Sequence, residues 1–184
     1  MYKNVQVVFT GAQGTGKTTM LNVFKDKFEN VVTEVVRNLA KNNNVKINEQ
    51  GNLEGQKTIF NEYLKLLDVD TGYLSDRCMI DVLAYTMYLY EKTKDTQLAL
   101  LIIEQTKEIE KFFNETHKDV IICYFPIEFE VVDDGVRSTS EEFRSAIDDH
   151  IQQILINHVK KHYIICGDTE KRTKTIENIL KHKN

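Results

Sequence analysis

Tryptophan is absent from these 184 residues, proline occurs once, glycine eight times and cysteine three times. So little proline and glycine leaves few breakpoints for a turn-rich β-sandwich and favours a helix-rich chain. The cysteines, Cys78, Cys123 and Cys166, are odd in number and share no CxxC spacing, which argues against a disulfide framework or a zinc site. Cys123 and Cys166 sit in apolar runs and read as buried thiols. No apolar run approaches the ~18 residues of a membrane helix. Met1-Tyr2-Lys3-Asn4 runs straight into a strand-like segment without a signal-peptide layout, so the expected compartment is the cytoplasm and no membrane partner is expected. A basic excess is missing too. Twenty-four Lys and Arg against 28 Asp and Glu give a net charge of −4, which disfavours nucleic acid held along a broad basic face. A small phosphorylated ligand in a local basic pocket remains compatible with that balance. Arginine itself is scarce, at Arg37, Arg77, Arg137, Arg144 and Arg172. Because the guanidinium fork suits phosphate better than an ammonium does, each of these five positions is informative.

The length fits one domain with a sizeable core, and 28% charged residues is ordinary for a globular chain. Val5-Gln6-Val7-Val8-Phe9 is nearly continuous in apolar character, as a buried parallel strand is. After a glycine-rich turn, Met20, Leu21, Phe24 and Phe28 repeat at helical spacing. Residues 30–33 predict a second short strand, 41–53 a polar loop and 54–67 a helix. Residues 72–75 form a third strand ending at Asp76, followed by helices at about 79–92 and 96–115. Val120 to Phe125 carries the strongest central-strand signal, closed by Pro126. Residues 131–141 read as a polar loop, before a long helix bearing Phe143, Ile147, Ile151, Ile154 and Leu155. Tyr163 to Cys166 is a last strand, and a terminal helix runs to about Leu180. Strands alternating with helices predict an α/β fold with a parallel sheet covered on both faces.

Gly11-Ala12-Gln13-Gly14-Thr15-Gly16-Lys17-Thr18 fits G-x-x-x-x-G-K-[ST] at every fixed position, between an apolar strand and an amphipathic helix. Glycines let backbone N–H groups curl around phosphate oxygens, and the helix that starts there points its positive end at the anion. Gly11, Gln13, Gly14, Thr15, Gly16, Lys17, Thr18 and the flanking Thr19 are therefore the expected nucleotide contacts. Lys17 should reach the β- and γ-phosphates of ATP, and Thr18 should offer its hydroxyl to Mg²⁺.

A switch GTPase would need an N-K-x-D stretch, which is absent, and a ring-forming motor normally needs more chain. A compact small-molecule kinase instead needs a carboxylate on a neighbouring strand and cations that close over the phosphates. Asp76, at a strand's carboxyl end, stands where it could take a proton from the acceptor or hold a metal-bound water, making it both a catalytic and a metal-site expectation. Arg77 follows directly and could grip the acceptor or the γ-phosphate. Glu34 and Arg37 are expected in the acceptor pocket, with a plain i,i+3 pair as the alternative reading. Segment 131–144, holding Asp133-Asp134-Gly135-Val136-Arg137 and then Arg144, reads as a hinged lid whose two arginines stabilise the transferring phosphoryl group. Gly167 to Arg172 is a position for packing on the adenine. The expected partner is a small nucleoside or nucleotide. The competing reading is a regulatory or nucleic-acid-associated ATPase, including one acting on a base or 5′-hydroxyl in DNA.

Taken together, the loop 11–18, the E-x-x-R stretch Glu34 to Arg37, Asp76 and the string Val132 to Arg137 resemble the P-loop nucleoside and nucleotide kinases. The closest likeness is to the ribosylnicotinamide kinase domain of NadR-type proteins and the NadR-like, or AAA_28, family. The resemblance spans nearly the whole chain. It implies a three-layer P-loop fold with five parallel strands in the order 2-3-1-4-5, Asp76 as the catalytic or metal-organising carboxylate, and Arg137 and Arg144 as lid cations. NadR-type kinases carry a second acidic residue two after the strand-end Asp. This chain reads Asp76-Arg77-Cys78, with Asp81 further on and Ala84-Tyr85 following, which looks more like thymidylate kinases.

Overall fold

A computed structural model describes residues 2–43, 45–115, 119–130 and 140–182. Strand β1 (Gln6–Thr10) is buried along its whole length and leads through the glycine-rich turn into helix α1 (Lys17–Phe24). Strand β2 (Asn30–Val32) is followed by helix α2 (Val35–Asn43), occupying a stretch whose helical character the sequence pattern left unread beyond the Glu34/Arg37 spacing. Helix α3 (Leu53–Leu67) begins at Asn52, whose side chain accepts from the Gly55 N–H at 2.9 Å and satisfies one orphan donor of the first turn. Strand β3 (Tyr73–Ser75), helices α4 (Met79–Thr93) and α5 (Thr96–Glu110), a π-turn over Lys111–Glu115 and strand β4 (Ile121–Tyr124) follow. Helix α6 (Glu141–His158) is capped by Ser140. Strand β5 (Tyr163–Ile164) then leads to helix α7 (Thr169–Lys181), capped by Asp168.

All strand pairs are parallel and the sheet order is β2-β3-β1-β4-β5, as the resemblance implies. Side chains alternate across the pleat. Val8, Tyr73, Ile122 and Tyr124 point into one core with α3, α4 and α6, while Val7, Phe9, Leu74, Ile121 and Cys123 point into the other with α1 and α7. Cys123 is buried as expected and Cys78 is buried too, whereas Cys166 is half-buried, because β5 is a short edge strand that ends before it. The order reverses at β1, which lies between β3 and β4 although two strands separate it from β4 in the chain. Such a reversal opens a crevice beyond the carboxyl ends of the strands. No helix among the described residues is long and apolar enough to cross a membrane.

Candidate active site

A cleft of about 220 Å³ lies in that crevice. Its floor is the turn after β1, where Gly11 passes so close to β4 that a Cβ there would sit 2.4 Å from the Phe125 carbonyl oxygen. Helix α1 starts at Gly16 with no side-chain cap and no acidic residue in its first turn, so its leading N–H groups are left for an anion. Lys17 is buried, and its ammonium donates to the carbonyls of Gly11 and Ala12, each at 2.7 Å, and to Thr15 Oγ1 at 3.2 Å. Thr19 lines the same end of the cleft.

Asp76 leaves β3 beside this loop. Its Oδ2 accepts from Thr18 Oγ1 at 3.0 Å, whereas its Oδ1 is buried without a partner among the described residues. Burial raises the Asp76 carboxyl above its ordinary value, against the opposing pull of Lys17, Arg77 and the Thr18 hydroxyl. Arg77 pairs with Asp81 at 3.2 Å, and Asp81 also accepts the Cys78 N–H at 3.1 Å, closing the first turn of α4. Glu34 and Arg37 both line the cleft mouth and bond each other at 3.2 Å, so the i,i+3 pair and the pocket location coexist.

Gln56, Tyr63, Asp81 and Tyr85 complete the wall opposite the loop. Burial pushes the phenols of Tyr63 and Tyr85 up, so both keep their protons at neutral pH. The Tyr85 hydroxyl lies 3.5 Å from Gln13 Oε1, linking this wall to the loop. Tyr63 lies on the apolar stripe of α3 and Tyr85 belongs to the Ala84-Tyr85 pair, and neither was expected to line a pocket. Gln56, one polar residue on the stripe that continues through Ile59, Phe60 and Tyr63, carried the signal that could have marked a pocket-facing side of α3.

Arg144 and Arg172 take different places from those expected. Arg137 and the rest of 131–139 lie outside the described residues. Arg144 stands in the first turn of α6, 1% exposed, with Nε donating to the Gln13 carbonyl at 3.0 Å and Nη2 to the Phe129 carbonyl at 2.5 Å. It faces the loop's backbone from α6 rather than lining the cleft. Arg172 is equally buried and donates to the Thr15 carbonyl and to Glu128 Oε2, each at 2.6 Å. Its guanidinium faces the Phe125 and Phe129 rings at 5.4 and 4.9 Å, which leaves its side chain packed on protein aromatics rather than offered to a base.

The family model named AAA_28, an AAA domain, matches residues 6–172. Among solved structures, the chain is similar to the NadR protein in complex with NR, at 16% identity and TM-score 0.74, over 97% of this chain and 51% of that one. It is similar to the deoxyadenosine kinase of M. mycoides with bound products, at 14% identity and TM-score 0.64, over 98% and 100% of the two chains. It is also similar to the thymidylate kinase of Candida albicans, at 12% identity and TM-score 0.59, over 100% and 94%. The chain thus spans about half of NadR and the full length of the deoxyadenosine kinase. At these identities the likeness is one of fold. No curated protein sequence matches the chain.

Proposed function

We propose that this chain, which belongs to the AAA_28 family of AAA domains, is a kinase that moves the γ-phosphoryl group of ATP to a hydroxyl of a nucleoside-like acceptor. One observation carries the reading. A single cleft is lined by the phosphate loop Gln13–Thr19, by Asp76 and by Arg37, Tyr63, Arg77 and Tyr85. A donor phosphate on the loop and an acceptor group in the same cleft would meet beside a carboxylate.

The loop amides and Lys17 would hold the donor. Asp76, with its raised affinity for a proton, would accept the acceptor's hydroxyl proton as the oxygen attacks the γ-phosphorus and the bond to the β-phosphate oxygen breaks, leaving ADP. Arg77 would help place the transferring group beside Asp76, and Arg137, which lies outside the described residues, is the cation expected to neutralise its charge. Thr18 Oγ1 is a hard oxygen donor that fits Mg²⁺, and Asp76 Oδ2 beside it would hold a water of that ion, which leaves the unpartnered Oδ1 for the acceptor's proton. Bound there, the ion would supply charge neutralisation at the β- and γ-phosphate oxygens.

The acceptor wall favours a nucleoside over a monophosphate. Arg37 is matched by Glu34 and Arg77 by Asp81, so this end offers no cationic excess for a second phosphate group. The named kinases of the same fold support a nucleoside or nucleotide acceptor. The test is a panel of nucleosides, nucleoside monophosphates and 5′-hydroxyl oligonucleotides incubated with γ-labelled ATP and Mg²⁺. Label on a nucleoside is expected. Label reaching only water would refute the kinase reading, and label on the oligonucleotide alone would move the assignment to the nucleic-acid-associated alternative.

A further inference from the structure

We infer that Arg144 and Arg172 are positioning residues that hold the phosphate loop in its anion-binding shape from the side opposite the ligand. The inference rests on the reading of Gly11 to Thr18 as a phosphate loop. A trans peptide unit is planar, with its C=O and N–H pointing in opposite directions. All peptide bonds among the described residues are trans. Whatever grips a carbonyl therefore aims the next residue's N–H the other way.

Arg144 grips the Gln13 carbonyl at 3.0 Å and so aims the Gly14 N–H away from α6. Arg172 grips the Thr15 carbonyl at 2.6 Å and so aims the Gly16 N–H away from α7. Gly14 and Gly16 both line the cleft, and their φ values of 71° and 87° supply the left-handed residues of an anion-binding nest. Lys17 bonds the Gly11 and Ala12 carbonyls, whereas those of Gln13 and Thr15 are the ones held by the two arginines.

The two guanidiniums are themselves fixed at one place. Arg144 bonds the Phe129 carbonyl, and Arg172 bonds the neighbouring Glu128 carboxylate, whose oxygens also accept the Gly167 N–H at 3.0 and 2.9 Å. The segment just after β4 thereby ties α6, α7 and the loop before α7 to the same two peptide units. Both side chains are almost fully buried, with relative exposures of 1% and 3%. A core-filling role alone would not require that each guanidinium find a loop carbonyl in alternate peptide units.

Arg172→Gln and Arg144→Gln should each weaken binding of tripolyphosphate, a probe that carries phosphates without base or sugar, by about tenfold or more, as loss of a charge-assisted hydrogen bond predicts. Calorimetric titration of the folded variants reads this. Amide exchange at Gly14 and Gly16 should quicken in both variants while β1 and β4 amides stay protected. Arg172→Lys should recover part of the affinity, since one ammonium can reach Thr15 or Glu128 but lacks the fork to hold both. If Arg172→Gln fails to fold, Glu128→Gln and Arg172→Lys carry the same measurement. Unchanged tripolyphosphate affinity in folded variants overturns the inference, as does a wild-type protein that binds no tripolyphosphate. A wild-type protein that binds it, loses it on substitution, yet phosphorylates no acceptor upholds the inference and refutes the kinase reading.

Discussion

Gly16→Ala measures the clamp on the loop in a way that can be worked out in advance. Gly16 has φ 87° and ψ 11°, a left-handed conformation that costs a residue with a Cβ about 1–2 kcal/mol. The new Cβ would also stand 2.8 Å from Arg172 Nη1, roughly 0.7 Å inside an ordinary contact near 3.5 Å. An arginine tip normally swings away, but this one is fixed at 2.6 Å to both the Thr15 carbonyl and Glu128 in a buried setting. Moving it weakens a charge-assisted hydrogen bond worth about 1.5–3 kcal/mol. The two contributions together come to about 2.5–5 kcal/mol, a large share of the ~5–15 kcal/mol that holds a domain folded. In an Arg172→Ala background only the torsional cost of about 1–2 kcal/mol remains. Urea unfolding of the wild type, both single variants and the double variant should therefore give a coupling of about 1.5–3 kcal/mol between the two sites. Additivity within about 0.5 kcal/mol would refute the claim that Arg172 is pinned against Gly16.

Asp76→Asn should lower kcat by at least ~10²-fold, and unchanged turnover would remove Asp76 from the chemistry. The same variant should be more thermostable than wild type at neutral pH. The folded carboxyl is raised above its unfolded value, so the folded state binds the proton more tightly between the two, and stability falls as pH rises through that window and stays reduced above it. Asparagine has no such penalty, and a lower Tm than wild type would contradict the assigned burial cost. Lys17→Ala should cut kcat/KM for ATP by at least ~10²-fold in a folded protein, measured with the acceptor found in the labelled-ATP panel; an active variant would remove the donor-site assignment. Arg77→Gln should cost about 3 kcal/mol in urea unfolding, because it leaves the Asp81 carboxylate, 2% exposed, without its cation. A shift under 1 kcal/mol, on the order of a surface ion pair, would mean that the bond from the Cys78 N–H alone satisfies Asp81.

The sheet was legible because its signals are local. Val7, Phe9, Ile121 and Cys123 against Val8, Ile122 and Tyr124 are apolar on both faces, and only a strand covered on both sides reads so. The loop was legible for the same reason, since strand, glycines, Lys17 and helix are adjacent in the chain. Asp76 followed from its place at the end of β3, and its bond to Thr18 spans 58 residues that the parallel register brings together. Tyr63 and Tyr85 were harder, because a tyrosine on a helical stripe buries its ring in the same way whether its hydroxyl meets core or cleft.

The arginines divide along the same line. Which residues could hold a phosphate was a matter of side-chain chemistry and short spacing, and the order of the amino acids determined it. Where each guanidinium points is a matter of how α6 and α7 pack on the loop, across separations of 131 and 157 residues. Arg144 belongs by sequence to a polar stretch that looks like a lid, yet helix α6 turns it inward onto the Gln13 carbonyl. Arg172 belongs to a terminal helix with no motif, yet it reaches the Thr15 carbonyl. Local residues therefore specified a glycine-rich strand–loop–helix turn, and only the packing of distant helices decided which of its carbonyls meet a guanidinium.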